Sequence, residues 1–447
     1  MQIRYLSAEE LVIHELDQAR QEGKDVEELD DQWNTLVTYE SDQEKLRPAA
    51  RKLLDHIRAL PADARLIADE PSTFNEIRRK SGWHELDSGA SIPVEVLYDK
   101  IQGGWLGRAA GCLLGKPVEK IGREGIQEIL EASGQWPLRD YITARDIPDE
   151  LIARYPWNRH GGIESLRENI ICMPEDDDMN YPIVNLIAAQ RHGPDFTTAD
   201  IALTWLEFLP VLSTFTAERV AYANCLKLVP IERCAVTDNP FREWIGAQIR
   251  ADLWGWVALG APLQAAECGW RDGHLSHVRN GLYGEMFFAA AIALAGNLAD
   301  VESILRGALQ VVPGSSRFAE AILFGIGAAR EESDWERITD HIHNKYGHLH
   351  WVHTLNNAAL VAAALIHGAG DYEKSICAAV MGGWDADCNG ATVGSLLGTM
   401  LGAHALPEKW TAPLHNCLRS SVMGRDHSPL DELARECTSL HPGFTHH

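Results

Sequence analysis

The sequence predicts an all-α fold, and three features of the chain indicate it. Apolar residues recur at three- and four-residue spacing through long segments, which is the spacing of one helix face. Runs of alternating β-branched residues, which would indicate strands, are nearly absent. Two segments carry a glycine at every fourth position, which leaves a bare stripe along a helix.

The first part of the chain is rich in charged residues and predicts surface-like helices. Ser7-Ala8-Glu9-Glu10 is typical of a capping box and predicts a helix that runs to about Gln21. Two further charged amphipathic helices are predicted at 25–39 and 42–60.

A change of composition divides the chain in two. From Val94 onward Gly, Ala, Leu and Trp become frequent, so we place a boundary near residues 91–93. This gives a helical N-terminal extension, 1–92, and a helical main domain, 93–447. The extension either packs on the core or makes an oligomer contact.

The second part of the chain has apolar residues at helical spacing in six segments. We predict helices at 181–192, 198–209, 215–227, 241–260, 284–295 and 354–368.

The glycine stripes predict two helices that pack unusually closely. The glycines are Gly103, Gly107, Gly111 and Gly115 in one segment and Gly390, Gly394, Gly398 and Gly402 in the other. Each glycine costs about 1 kcal/mol of helix propensity relative to alanine, so tight packing must compensate. We therefore expect these helices at the centre of the bundle.

Composition excludes several classes of protein. The net charge of −24 opposes binding to phosphate backbones, so we expect no nucleic-acid partner. We find no apolar leader and no membrane-spanning run. The nine cysteines include no C-x-x-C pair, which favours reduced thiols and a cytoplasmic location. Serine-hydrolase, Walker and dinucleotide motifs are absent from the sequence.

Two acidic clusters stand directly before predicted helices. The first is Glu175-Asp176-Asp177-Asp178, and the second contains Asp385 and Asp387. Adjacent carboxylates repel one another unless they share a cation, although a solvated helix start is the alternative. The second cluster opens like an EF-hand loop but has Leu396 where that loop needs a glutamate.

The ligand type predicts which ion would bind. If both clusters meet, their oxygen atoms favour Mg²⁺, with Mn²⁺ or Ca²⁺ as alternatives. Four or five carboxylates are more than one Mg²⁺ usually takes, so we expect two ions.

With these segments in hand, the sequence resembles the ADP-ribosylglycohydrolase family over about residues 95–405. Three short motifs carry the resemblance, and they occur in the family's order. They are Gly111-Cys112-Leu113-Leu114-Gly115-Lys116-Pro117-Val118-Glu119, Glu175-Asp176-Asp177-Asp178 and Gly383-Trp384-Asp385-Ala386-Asp387-Cys388.

The resemblance implies a compact orthogonal multi-helix bundle with a binuclear magnesium centre. Asp176, Asp177, Asp385 and Asp387 would be metal ligands by motif position, and Glu175 would take the place of a ligand threonine. The implied reaction is hydrolysis of an N- or O-ribosyl glycosidic bond. Catalytic roles would fall to Glu119, Asp177 and Asp385.

The sequence departs from the family pattern at several positions of the motifs. Cys388 replaces a ligand threonine, Cys112 replaces an aspartate, and Asp178 replaces a threonine and would be a ligand or contact substrate. These changes bear on the substrate, which would be an ADP-ribosylated molecule or a small riboside. The alternatives are a binuclear phosphoester hydrolase and a catalytically silent binding protein for ADP-ribose or a riboside.

Further polar residues are candidates for the substrate cleft, although each could also belong to an ordinary loop. The candidates are His274, His277, Ser315, Arg317, His353 and Asn356. Five histidines between His341 and His353 could alternatively hold zinc, but their spacing fits no standard zinc pattern.

Overall fold

The computed structural model describes residues 3–40, 42–84, 86 and 92–445. Within these ranges it is all-α, which confirms the predicted fold class. The α-helices are α1 Ala8–Gln21, α2 Glu27–Tyr39, α3 Gln43–Ala59, α4 Ala64–Asp69, α5 Phe74–Lys80, α6 Val94–Gly115, α7 Arg123–Ala132, α8 Asp149–Arg154, α9 Asp177–His192, α10 Thr198–Phe208, α11 Thr216–Leu226, α12 Ile231–Cys234, α13 Ala251–Val257, α14 Pro262–Gly273, α15 Arg279–Ala295, α16 Val301–Ala308, α17 Arg317–Glu331, α18 Trp335–Tyr346, α19 Thr354–Gly368, α20 Tyr372–Met381, α21 Ala386–Leu401, α22 Glu408–Thr411 and α23 Leu430–Thr445.

Shorter elements connect these helices. One antiparallel pair of two-residue strands is present in the described ranges, β1 Cys417–Leu418 and β2 Ser428–Pro429. The 3₁₀ helices are Lys116–Val118, Gly193–Asp195, Val211–Ser213, Gln248–Arg250, Leu309–Val311, Ala403–Ala405 and Ala412–Leu414.

The predicted capping box at the start of α1 does not form. Ser7 is the N-cap residue, but its side chain accepts no capping hydrogen bond. The Glu10 carboxylate instead accepts a hydrogen bond of 2.6 Å from the backbone N–H of Tyr5. This bond fixes the segment that precedes α1.

The prediction of one helix over 241–260 is wrong in its first half. Residues 241–247 form turns, and helical structure begins only at Gln248–Arg250 and α13. The backbone N–H of Ile245 donates to the Val352 carbonyl, at 2.9 Å. Because this segment is buried on all sides, its apolar residues do not mark one face of a helix.

The glycine stripes of α6 and α21 face each other in antiparallel directions. A Cβ atom built on Gly107 would overlap the Gly394 carbonyl, and the same holds between Gly111 and Gly390. The two backbones are therefore in direct contact, as predicted. This contact places the C-terminal end of α6 beside the N-terminal end of α21, where the second acidic cluster lies.

The N-terminal extension shares the hydrophobic core with the rest of the chain. Leu11, Val12 and Leu16 on α1 are buried in the same apolar cluster as the core of the main domain. The sequence boundary predicted near residues 91–93 falls partly on residue 91, which lies outside the described residues.

A buried network of charges also joins the extension to the main domain. Arg242 contacts Glu15 and Glu22, with closest distances of 2.9 and 2.6 Å. Arg279 contacts the same Glu22 carboxylate at 2.6 Å, and Arg317 contacts Glu70 at 2.7 Å. Because an unpaired buried charge is costly, this network fixes the extension in one position.

One pair of cysteines departs from the predicted reduced state. Cys172 and Cys417 form a disulfide bond, whereas the other seven cysteines are free thiols. The two residues are 245 positions apart, so no sequence spacing indicates the bond. Backbone hydrogen bonds between Met173 and both Cys417 and Arg419 bring the two segments together.

The described helices include none that combines the length and the apolar character needed to cross a lipid bilayer.

Candidate metal centre and active site

The two acidic clusters meet at the N-terminal ends of α9 and α21. Asp176 caps α9, and its Oδ1 atom accepts a hydrogen bond of 2.8 Å from the backbone N–H of Asp178. Asp385 stands at the N-cap of α21, and Asp387 lies in its first turn. The close packing of α6 against α21 and the start of α9 therefore gather these carboxylates in one place.

The convergence produces two groups of ligand atoms. The inner group is formed by Cys112, Asp176, Asp178 and Asp387, whose ligand atoms lie within 4.8 Å of one another. The outer group is formed by Asp385, Asp387 and Cys388 under the same distance limit. Asp387 belongs to both groups.

Two buried basic residues contact the carboxylates of the inner group. Arg108 is fully buried and contacts Asp178 at 2.8 Å and Asp252 at 2.9 Å. Lys116 directly follows α6 and contacts Asp176, as well as Asp387 at 2.9 Å. Neither residue was a candidate from the sequence, although Lys116 lies inside the first family-like motif.

Burial controls protonation in this cluster. It raises the pKa of Asp177, Asp178 and Asp385 well above the usual range, and neighbouring carboxylates reinforce the rise. Burial opposes the charged form of Lys116, but Asp176 and Asp387 raise its pKa well above the usual value. The lysine is therefore an ammonium cation at neutral pH.

The two cysteines of the cluster are neutral thiols. Burial raises the pKa of both Cys112 and Cys388 far above that of a free thiol, and the nearby aspartates add to the rise. A neutral thiol is a poor ligand for a hard cation. The oxygen atoms are thus the available donors.

The outer group opens into a cavity of about 90 Å³, which is also lined by Asp177 and Glu119. The opposite wall is formed by Tyr5, Phe215, Thr216, Glu218, Trp244 and Val352. These wall residues were not candidates from the sequence, because they lie far from the motifs along the chain.

Through Tyr5, the N-terminal extension forms part of the wall of this cavity. The Tyr5 ring packs edge-on against Phe241, with ring centroids 5.6 Å apart. The Arg219 guanidinium lies 5.5 Å from the Tyr5 ring centroid. These contacts and the hydrogen bond to Glu10 hold the ring as a wall of the cavity.

A larger pocket adjoins the cavity. It has a volume of about 480 Å³ and shares Glu119, Lys120 and His160 with the cavity. Arg4 and Trp157 are among its other walls. A substrate with a small reacting group and a larger attached group therefore has space on both sides of Glu119.

Glu119 is held at the edge between cavity and pocket. Its carboxylate contacts Lys116 at 3.3 Å and Lys120 at 3.0 Å, and it accepts a hydrogen bond from Asn158. Glu119 thus lines the same cavity as Asp385 and Asp387, and its catalytic role stays a prediction.

Glu175 does not join either group of ligand atoms. Its side chain is exposed, and Oε1 accepts a hydrogen bond of 2.7 Å from Asn180. The predicted ligand role of Glu175 therefore has no support in this arrangement. Asp178, predicted to contact substrate, is instead buried against Arg108.

Three of the predicted cleft residues contact the N-terminal extension and do not line the cavity. Arg317 binds Glu70, and the His353 ring lies 2.8 Å from the Gln21 side chain. Ser315 donates a long hydrogen bond of 3.4 Å to Asp69.

The other three predicted cleft residues also lie outside the cavity lining. His274 stacks on Trp270, with ring centroids 4.8 Å apart. His277 is buried, with its ring nitrogen 2.8 Å from the Ser276 hydroxyl. Asn356 is buried and donates to the His350 carbonyl.

In the parts of the chain that the structure describes, no cluster of histidines supports the zinc alternative. The two convergent groups of His, Cys, Asp and Glu atoms found there contain no histidine. His343 and His350 stack instead on Trp384 and Trp244.

Comparison with known proteins agrees with the motifs. The family model for ADP-ribosylglycohydrolase matches residues 93–443. One solved structure, described as an "ADP-ribosylglycohydrolase-related protein complex", is 19% identical, with 78% of this chain and 99% of that chain covered and a TM-score of 0.48. Comparison with curated protein sequences gave no match. The family match spans most of the chain, and the chain therefore belongs to the ADP-ribosylglycohydrolase family of hydrolases.

Proposed function

We propose that the protein hydrolyses an N- or O-ribosyl glycosidic bond in a reaction that requires a divalent cation. The observation that carries the proposal is an unsatisfied oxygen on Asp387, the residue shared by the two groups of ligand atoms. Asp387 is 2% exposed, and its Oδ1 atom has no hydrogen-bond partner among the described residues. A buried carboxylate oxygen without a partner costs free energy unless a cation binds it.

The residues that face the cavity fit a hard divalent cation. Asp177, Asp385 and Asp387 supply carboxylate oxygens, whereas the neutral Cys388 thiol does not compete. Oxygen donors favour Mg²⁺, with Mn²⁺ or Ca²⁺ as alternatives. When bound, such a cation supplies Lewis-acid polarisation of substrate oxygens.

Glu119 is the residue that we assign to proton transfer. Hydrolysis of a glycosidic bond needs a base for the attacking water and an acid for the leaving atom. Lys116, Lys120 and Asn158 orient the Glu119 carboxylate beside the cavity. The Glu119 carboxylate then accepts the proton of the attacking water and passes it to the leaving atom as the glycosidic bond breaks.

The two connected spaces indicate how the substrate lies. The cavity of about 90 Å³ suits the reacting part of a ribose, and the pocket of about 480 Å³ suits the group attached to it. Arg4 and Lys120 in the pocket suit an anionic attached group. Both a small riboside and an ADP-ribosyl compound meet these conditions.

The experiment measures ribose release by mass spectrometry, with Mg²⁺ or with EDTA, from a panel of substrates. The panel contains ADP-ribosyl-arginine, ADP-ribosyl-serine, O-acetyl-ADP-ribose and simple nucleosides, and phosphate release is measured in parallel. We expect magnesium-dependent release of a ribosyl product. Phosphate release alone would favour a phosphoester hydrolase, and tight binding without product would favour a binding protein.

Substitution of the cavity carboxylates tests the assignment of residues. Asp385→Asn and Asp177→Asn should each lower kcat at least about 100-fold. Removing a metal ligand has a larger effect than removing a residue that only hydrogen-bonds to a ligand, which itself costs about 10- to 100-fold. Asp300→Asn is the matched control, since Asp300 also caps a helix but lies on the surface. An active, metal-independent Asp177→Asn/Asp385→Asn double variant would overturn the proposal.

A further inference from the structure

The ammonium group of Lys116 occupies the position of a cation in the inner group. Its Nζ atom contacts Asp176, lies 2.9 Å from Asp387 Oδ2 and lies 3.3 Å from Glu119 Oε2. The side chain is 4% exposed, so water does not screen these contacts. A lysine with three carboxylate neighbours is bound as a metal ion would be bound.

Four of the six carboxylate oxygens in the inner group already contact a basic side chain or a backbone N–H. Asp176 uses one oxygen for the Asp178 N–H and the other for Lys116. Arg108 contacts Oδ1 of Asp178, whose Oδ2 has no hydrogen-bond partner among the described residues, and Lys116 contacts Oδ2 of Asp387. Two fixed positive charges therefore already offset much of the negative charge of the inner group, and both would repel a divalent ion there.

In the outer group, the only ion pair among the described residues is the one between Asp387 and Lys116. Lys116 contacts Oδ2 of Asp387, whereas Oδ1 of the same carboxylate is unsatisfied among the described residues. Asp385 lies beside it in the outer group, and Asp177 lines the same cavity. One ion can be held there without displacing Lys116.

We propose that Lys116 replaces one of the two divalent cations expected from the family resemblance, so that the centre binds a single ion at the outer group. The inference rests on the proposed function only in requiring that the centre binds a divalent cation. The ammonium supplies a fixed positive charge where an exchangeable ion would otherwise lie. It also ties Glu119 to the carboxylate cluster.

The test counts Mn²⁺ ions bound by the full-length protein. After removal of metal with EDTA, isothermal titration and elemental analysis give the number of Mn²⁺ sites without any substrate. We expect one site in the wild-type protein and two in Lys116→Gln, because the vacated carboxylates can then hold a second ion. Lys120→Gln is the matched control and should keep one site, since Lys120 contacts Glu119 but is not among the contacts of the inner group.

Each result decides the inference. Two sites or no site in the wild-type protein overturns it, and so does a single site in a Lys116→Gln protein whose circular dichroism is unchanged. If Lys116→Gln does not fold, the wild-type number alone decides. Because no substrate is used, an inactive protein with one site contradicts only the proposed function, and an active protein with two sites contradicts only this inference.

Discussion

Gly107 of α6 and Gly394 of α21 contact each other directly through their backbones. A Cβ atom on either glycine would overlap the carbonyl oxygen of the other. The same relationship holds between Gly103 and Gly398, four residues along each helix. This contact fixes the register of the two helices, and therefore the position of Lys116 relative to Asp387.

Gly107→Ala should lower the free energy of unfolding by about 1–3 kcal/mol, the usual cost of inserting a methyl group into a packed core. Urea denaturation measures the change. Gly327→Ala is the matched control, because Gly327 lies within α17 with open space around its Cα. The control should be neutral or stabilise the protein by up to about 1 kcal/mol. Equal effects of the two substitutions would contradict the packing argument.

Tyr5→Ala should change substrate selectivity through the wall of the cavity. Removing the ring enlarges the space beside Asp177, so kcat/KM for bulky ribosides should rise about 10-fold relative to small ones. Steady-state kinetics with two ribosides of different size measure this ratio. Tyr39→Ala, at a tyrosine of the extension that is 86% exposed, should leave the ratio unchanged. If the ratio is unchanged in Tyr5→Ala as well, the extension does not contribute to substrate selectivity.

Glu218 should make stability depend on pH. Burial raises its pKa to about 7, against 4.5 for an ordinary glutamate, and Asp272 adds to the rise while Arg250 opposes it. The folded state therefore keeps a proton that the unfolded state has already lost. The stabilisation is present below pH 4.5 and is lost as the pH rises through 7.

Glu218→Gln cannot ionise, so its stability relative to wild type should increase by about 3 kcal/mol between pH 4.5 and pH 8. Urea denaturation of both proteins at the two pH values gives the difference, and other titrating groups cancel. Glu331→Gln, at an exposed glutamate, is the control and should show no such trend. A constant difference between Glu218→Gln and wild type would show that the carboxyl is not perturbed.

Reduction of the Cys172–Cys417 bond should lower the free energy of unfolding by about 2–4 kcal/mol, because the bond restricts the unfolded chain. Urea denaturation with and without a phosphine reductant measures the effect. A Cys172→Ser/Cys417→Ser variant should be insensitive to the reductant, which separates this bond from the seven free thiols. Equal sensitivity of the variant and the wild type would show that the bond does not contribute.

The sequence alone determined the fold class and the central helix pair. Periodicity indicates a helix because the signal is local, and a glycine every fourth residue is typical of close helix packing. These inferences need only neighbours along the chain. Asp177, Asp385 and Glu119 became candidates because each belongs to a short motif, and their roles stay predictions. Whether the two acidic clusters meet stayed open, because they lie far apart along the chain.

The tertiary structure decided which side chains surround those carboxylates. Tyr5 lines the cavity although it lies near the start of the chain. Arg317 and His353 contact Glu70 and Gln21 of the extension and do not line the cavity. Lys116 has no signal of its own, since a lysine after a helix is usually solvated. Only the packing of α6 against α21 and α9 buries its ammonium among aspartates, because burial and charge pairing depend on residues distant in sequence.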